Sequence, residues 1–201
     1  METLLLCVFT LIASADYIKL YDDGDFYEGF EVVNPDNLTV GIQDKDRSHW
    51  EVVTMLPGEE IVFTTNDSVS TTIQDKDKTY KTLRFHVKYD NDDLKNIPLN
   101  VKIFSTSYDS LNETTINNTA GYTIKVKKNK NMKAYIKLDQ FNLDGEVSTI
   151  IFTRTGDSTT SVDLMFDELE LDTKDTETDS YENSASSLLA GAFLFAIVLV
   201  L

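Results

Sequence analysis

Apolar and polar side chains alternate along most of the chain with a period of two residues. Short runs rich in Val, Ile, Thr, Tyr and Phe are separated by clusters of Asp, Asn, Gly and Lys about every 8 to 14 residues. Between Tyr122 and Lys127, Tyr122, Ile124 and Val126 share one face and the polar residues share the other. This pattern predicts an all-β protein whose strands each bury one face.

The pattern predicts twelve strands. They are Tyr17–Tyr21, Gly29–Val33, Leu38–Gln43, Trp50–Met55, Glu60–Thr65, Val69–Gln74, Thr82–Tyr89, Leu99–Ser105, Tyr122–Lys127, Lys133–Leu138, Ser148–Thr153 and Ser161–Phe166. The polar connection Lys128–Asn131 predicts a hairpin between the two strands that flank it. We expect Ala134, Ile136 and Leu138 to face the interior.

One internal repeat lies in the first half of the chain. The segment Asp36–His49 aligns with Asp67–Tyr80, and both contain the sequence Ile-Gln-Asp-Lys-Asp. Each copy predicts a strand, a charged turn and a second strand, with Asp44, Asp46, Asp75 and Asp77 at the two turns. Two copies are too few for a solenoid, so we interpret them as duplicated hairpins in one domain.

Both ends of the chain resemble targeting signals. The apolar run Leu4–Ile12 followed by Ala13-Ser14-Ala15 is typical of a secretory signal peptide. The 14 apolar residues Leu188–Leu201 would span about 21 Å as a helix, less than a bilayer core. Small residues around Asn183 precede them, which predicts a glycosylphosphatidylinositol (GPI) attachment signal with Asn183 as the attachment site. A tail anchor or a marginal membrane helix is the alternative.

These signals divide the chain into four parts. Residues 1–15 are the predicted signal peptide, 16–171 the β-sandwich ectodomain, 172–183 an acidic disordered stalk and 184–201 the removed propeptide. The single cysteine, Cys7, lies in the signal peptide, so we expect no disulfide in the mature protein. The predicted location is the extracellular face of the plasma membrane.

The chain is strongly acidic, with a formal net charge of -16. Such a charge repels nucleic acid and anionic lipid, and it favours a soluble monomer. Four sequons predict N-glycosylation at Asn37, Asn66, Asn112 and Asn117. We interpret Leu111–Ala120 as an exposed loop that carries two of these glycans.

Motifs for catalysis or cofactor binding are not evident, so we predict no enzyme activity, no cofactor and no metal. His49 and His86 fall on predicted strands, and we expect both to be structural. Asp22–Asp25 and Asp90–Asp93 offer oxygen ligands for Ca²⁺ but lack the spacing of a helix-loop-helix site, which favours solvated turns. Trp50 is either an exposed ligand-stacking platform or a residue of the core or sheet face.

The fold we predict is a single antiparallel β-sandwich of jelly-roll or CUB-like architecture. Function is predicted as a GPI-anchored, glycosylated recognition or adhesion module for an extracellular protein or glycan. The alternatives are a protective coat glycoprotein and, less favoured, a secreted glycoside hydrolase. The candidate ligand-binding residues are Asp44, Asp46, Asp75, Asp77 and Trp50.

Overall fold

The computed structural model describes residues 17–45, 48–73, 78–89, 94–128, 130–175 and 182–183. Two antiparallel sheets stack as a sandwich, which confirms the predicted fold class. The predicted signal peptide, the predicted propeptide and half of the predicted stalk, residues 176–181, lie outside the described residues. Among the residues described, no helix has the length and apolarity needed to cross a membrane.

Strands account for most of the described chain. They are β1 Tyr17–Asp22, β2 Asp25–Phe26, β3 Glu31–Val33, β4 Thr39–Lys45, β5 Ser48–Met55, β6 Glu60–Ser70, β7 Thr72–Ile73, β8 Lys78–Thr79, β9 Thr82–Tyr89, β10 Asn96–Phe104, β11 Tyr122–Lys127, β12 Met132–Lys137, β13 Glu146–Arg154, β14 Val162–Asp172 and β15 Glu182–Asn183. One α-helix, α1, covers Glu113–Asn118, and 3₁₀ turns cover Tyr108–Ser110 and Leu138–Gln140.

The large sheet has the order β15-β12-β9-β14-β1-β2, with β5 also paired to β14 and β4 paired to β5. The first half of β14, Val162–Phe166, pairs with β5, and its second half pairs with β1. The small sheet has the order β11-β10-β13-β6-β3. Strand β14 therefore sits near the middle of the large sheet.

Aromatic rings from both sheets meet in the core. Phe152 of β13 lies 5.0 Å from Phe85 of β9 and 4.8 Å from Phe166 of β14, measured between ring centroids, and 5.7 Å from Phe63 of β6. All four are fully or almost fully buried. Contacts of this kind bury a large area for few conformational degrees of freedom and join the two sheets.

The predicted hairpin across Lys128–Asn131 is wrong. Strand β11 pairs with β10 in the small sheet, whereas β12 pairs with β9 in the large sheet. The inward faces were predicted correctly, since Ile124, Val126, Ala134 and Ile136 are buried. Because both strands bury an apolar face, they stack across the core instead of pairing edge to edge.

Two predicted strand boundaries also differ from the structure. Strand β6 runs unbroken through Asn66, where a break was expected, because a register shift against β13 absorbs the exposed residues Asn66–Ser68. Strand β14 continues past Phe166 to Asp172, because Leu169 and Leu171 reach the core. The acidic residues between Phe166 and Leu171, namely Asp167, Glu168 and Glu170, therefore belong to the sheet.

The segment Leu111–Ala120 was expected to be a loop but contains α1. The Asn112 side chain caps the helix, accepting a hydrogen bond from the Thr115 N–H at 2.9 Å. Leu111 and Ile116, both half-buried, pack on Val62, Phe104 and Ile151 of the small sheet. This helix covers part of the outer face of that sheet.

Both copies of the repeat form two paired strands. In the first copy β4 pairs with β5 in the large sheet, and in the second β7 pairs with β8 as a separate two-stranded sheet. Asp44, predicted as a turn residue, lies in β4 opposite His49, whereas Asp46, Asp75 and Asp77 lie outside the described residues.

Candidate functional site

The outer face of the large sheet carries most of the chemistry in the described residues. Strand β9 turns Leu83, Phe85 and Val87 to the core, so Arg84, His86 and Lys88 point outward. The same alternation places Lys133, Tyr135 and Lys137 of β12 and Asp167, Glu170 and Asp172 of β14 on this face. Tyr17, Lys19 and Trp50 complete it from β1 and β5.

Charges on this face are nearly balanced, in contrast to the chain as a whole. The outward positions of β1, β9, β12 and β14 hold five cationic residues, Lys19, Arg84, Lys88, Lys133 and Lys137, and six acidic ones, Asp22, Asp163, Asp167, Glu168, Glu170 and Asp172. The whole chain has 18 Lys and Arg against 34 Asp and Glu. These outward positions are therefore close to neutral.

Arg84 is the centre of a buried ionic network. Its guanidinium pairs with Glu170 through Nη2 and lies 3.6 Å from Asp172 through Nη1. Both carboxylates are 2% exposed. The guanidinium also lies 5.3 Å from the ring centre of Tyr17. Breaking a buried pair leaves an uncompensated charge, so the loss of any one of these charged side chains should be strongly destabilising.

Trp50 is not the exposed stacking platform that was one of its two predicted roles. The side chain is 1% exposed and lies on the outer face of the sheet. Lys88 Nζ lies 3.7 Å from the centre of the ring, and the His86 ring is stacked at 6.4 Å. A cation over the face of an indole ring is stabilised electrostatically, which explains why Lys88 covers Trp50.

A β-bulge in β14 brings Glu168 onto this face. The register shifts between Asp167 and Glu170, and Glu168 has a φ of 48°, in the left-handed region that non-glycine residues rarely occupy. Glu168 Oε2 then lies 3.3 Å from His86 Nε2 and 3.9 Å from Lys133 Nζ. Without the extra residue, the side chain would point to the core.

Asp167 completes a cluster with His86 and Glu168. Its two oxygens accept hydrogen bonds from the Asp23 N–H at 3.1 Å and from the Ser48 hydroxyl. One ligating atom from each of the three residues lies within 4.8 Å of the others. Burial, followed by the charge of Lys133, lowers the pKa of His86 to about 4. The imidazole is therefore neutral at physiological pH.

A different cluster surrounds Asp44, the predicted turn residue that the structure describes. His49 lies between two aspartates, with Nδ1 2.8 Å from Asp23 and Nε2 3.1 Å from Asp44. The hydrogen bond to Asp23, and then the charge of Asp44, raise the pKa of His49. Nearby Ile42 is 59% exposed. Asp44 and Trp50 are on adjacent strands, but Asp44 does not contact the Arg84 network.

All four predicted glycosylation sites are exposed. Asn66 is on β6 of the small sheet, Asn112 and Asn117 flank or belong to α1, and Asn37 lies between β3 and β4 with a φ of 53°. Asn117 also lines a cavity of about 510 Å³ beside Asp36, Glu60 and Tyr108. Asn183, the predicted attachment site, pairs with Met132 at the edge of the large sheet.

Sequence reasoning missed Arg84, His86, Tyr135 and Glu168. The signal for the first two was the alternation of cationic and apolar residues along β9. Glu168 had no such signal, because the last predicted strand ended at Phe166.

No protein-family model matches the chain, and no curated protein matches its sequence. Among solved structures, an exo-β-agarase has a TM-score of 0.53 at 9% identity, over 81% of this chain and 26% of that one. A mutant of the family 29 carbohydrate-binding module CBM29-2 has a TM-score of 0.48 at 11% identity, over 82% and 99% of the two chains.

The family 11 carbohydrate-binding module of a Clostridium thermocellum cellulase has a TM-score of 0.46 at 13% identity, over 81% of this chain and 97% of that one. At such identities the likeness is one of fold alone. This chain spans about a quarter of the agarase. The neighbours thus include both binding modules and part of an enzyme.

Proposed function

We propose that this protein is a glycan-recognition module displayed on the outside of the cell. The observation that carries the proposal is the outer face of the large sheet, where the exposed Tyr17 ring lies beside the Arg84 guanidinium and Tyr135 lies between Lys133 and Lys137 along β12. Aromatic rings offer flat apolar surfaces for the C–H faces of sugars. Fixed charged groups offer hydrogen bonds to hydroxyls at a small entropic cost.

The near balance of charge favours an uncharged polar ligand. A cationic partner would be attracted to the acidic remainder of the chain, and an anionic partner would be repelled by it. A neutral glycan instead gains from a surface that has both donors and acceptors. In this proposal the Lys88 ammonium, which covers the Trp50 ring, donates hydrogen bonds to the sugar hydroxyls.

The positions of the predicted glycans are compatible with this face. None of the four acceptor asparagines lies on a strand of the large sheet in the described residues. Glycans at Asn66, Asn112 and Asn117 would instead shield the small-sheet side. Several solved structures with a similar fold are carbohydrate-binding modules, although likeness of fold alone assigns no function.

The test is binding to an array of defined neutral and acidic oligosaccharides. We expect the wild-type protein to bind a subset of neutral glycans, and Y135A and K88A to weaken that binding. Y108A and K125A are matched controls, because Tyr108 is a half-buried aromatic residue and Lys125 an exposed lysine, both on the small-sheet side. Absence of glycan binding, or equal losses in the controls, would overturn the proposal and favour a coat protein.

We also propose that the module is a monomer held at the cell surface by a GPI anchor at Asn183. The sequence patterns at residues 4–15 and 184–201 support this. Phosphatidylinositol-specific phospholipase C should release the protein from cells, and deletion of residues 188–201 should lead to secretion. Retention after the enzyme treatment would indicate a membrane helix instead.

A further inference from the structure

Three groups that bind metals in other proteins converge at the bulge of β14. His86 Nε2 and Glu168 Oε2 are 3.3 Å apart, and the ligating atoms of His86, Asp167 and Glu168 all lie within 4.8 Å of one another. Two ligands about 2.0 to 2.2 Å from one ion are separated by about 3 to 4 Å. The cluster is thus within a small movement of coordination geometry.

We propose that His86, Asp167 and Glu168 bind one divalent transition-metal ion of the zinc class. This inference is independent of the proposed glycan function. One imidazole nitrogen and two carboxylates suit zinc, which takes nitrogen and oxygen ligands in a four-coordinate site. Calcium prefers six to eight oxygen ligands, and the cluster offers two carboxylates. The fourth position is left for water or a ligand.

The surroundings hold the three ligands in place. Each oxygen of Asp167 already accepts one hydrogen bond, from the Asp23 N–H or the Ser48 hydroxyl, and each retains a lone pair for a metal. Such outer contacts orient the ligands of protein metal sites. The stacked Trp50 ring limits rotation of the His86 imidazole. The bulge at Glu168 directs the third ligand to the same point.

Lys133 is the group that opposes the ion. Its ammonium lies 3.9 Å from Glu168 Oε2, and its side chain is 24% exposed. The ammonium can therefore turn towards solvent when a divalent ion takes its place. Arg84 and Lys88 also face His86 from the same strand, but Arg84 is neutralised by Glu170 and Lys88 is held over Trp50.

The test is calorimetric titration of the purified, chelator-treated full-length protein with ZnCl₂ and, separately, with CaCl₂. We expect one Zn²⁺ per chain and weaker or undetectable Ca²⁺ binding. H86Q and E168Q should each weaken Zn²⁺ binding at least about tenfold, and K133M should strengthen it. E168Q alters a partly exposed side chain, so it remains informative if H86Q fails to fold.

The matched control is H49Q. His49 also contacts two aspartates, but Asp23 and Asp44 lie at opposite nitrogens of its ring and cannot meet at one ion. We expect H49Q to bind Zn²⁺ as the wild type does. No saturable Zn²⁺ binding, unchanged binding by E168Q, or an equal loss in H49Q would overturn the proposal, whatever the glycan array shows.

Discussion

The outer faces of the two sheets differ in how they are built. On the small sheet, Val62, Phe104 and Ile151 are buried beneath half-buried apolar residues of the α1 region. On the large sheet, the buried outward positions include Asp167, Glu170 and Asp172, with Arg84 between two of these acids. The outer face of the small sheet is thus a second, smaller hydrophobic cluster, whereas that of the large sheet contains the ionic network centred on Arg84.

The difference separates stability from binding. Apolar packing under a helix adds to the free energy of unfolding. A buried ion pair adds little on balance, because the cost of removing the charges from water offsets their attraction. The ionic network therefore contributes little to the net free energy of folding. This is why the proposed recognition function is assigned to the large-sheet face and not to the small-sheet face.

The largest effect on stability is expected from disrupting the ionic network with R84M. This change leaves the Glu170 and Asp172 carboxylates buried without their counter-charge, which should reduce the free energy of unfolding by about 3 to 5 kcal/mol. Urea denaturation gives the measurement. K125M removes an exposed cation on the small sheet and should change stability by less than about 0.5 kcal/mol. Equal effects would mean that the two faces do not differ as described.

A second change tests the apolar face. I151A creates a cavity beneath the α1 region and should reduce the free energy of unfolding by about 2 to 4 kcal/mol. V52A shortens a half-buried residue on the outer face of the large sheet and should cost about 1 kcal/mol or less. Thermal denaturation of the two variants side by side provides the comparison. A larger loss of stability in V52A than in I151A would contradict the interpretation that the α1 region covers the small sheet.

The helix that covers the small sheet depends in turn on its cap. N112A removes the acceptor for the Thr115 N–H and should lower stability by about 1 kcal/mol in protein made without N-glycans. T114A destroys the same sequon but keeps the cap, so it serves as the control. If both variants lose the same stability, the cap does not hold α1 on the sheet.

Local alternation allowed the inward faces to be predicted, because the period of two is a property of each strand alone. The sequence therefore identified Ile124, Val126, Ala134 and Ile136 as core residues. Pairing was not predictable in the same way. Strands β11 and β12 are close in sequence, yet they enter different sheets, because β11 pairs back with β10 and β12 pairs with β9.

The candidate site was less predictable than the fold. Alternation along β9 was visible, but the partners of Arg84 and His86 come from β14, about 80 residues away in sequence. The bulge that turns Glu168 outward depends on keeping Leu169 and Leu171 in the core. The last predicted strand ended at Phe166, so the acidic residues beyond it were not assigned to the sheet.

The smallest effect concerns His49, which lies beyond the two outer faces where β4 and β5 extend into solvent. Asp23 and Asp44 raise its pKa, so protonation favours the folded state. The resulting stability is complete below the pKa of the unfolded chain, about 6.5, and is lost as the pH rises through the higher folded value. Titration of the His49 ring by NMR should show this raised pKa, and D44N should lower it, whereas D163N should leave it unchanged. A normal pKa in the wild type would show that neither Asp23 nor Asp44 contacts the His49 ring in solution.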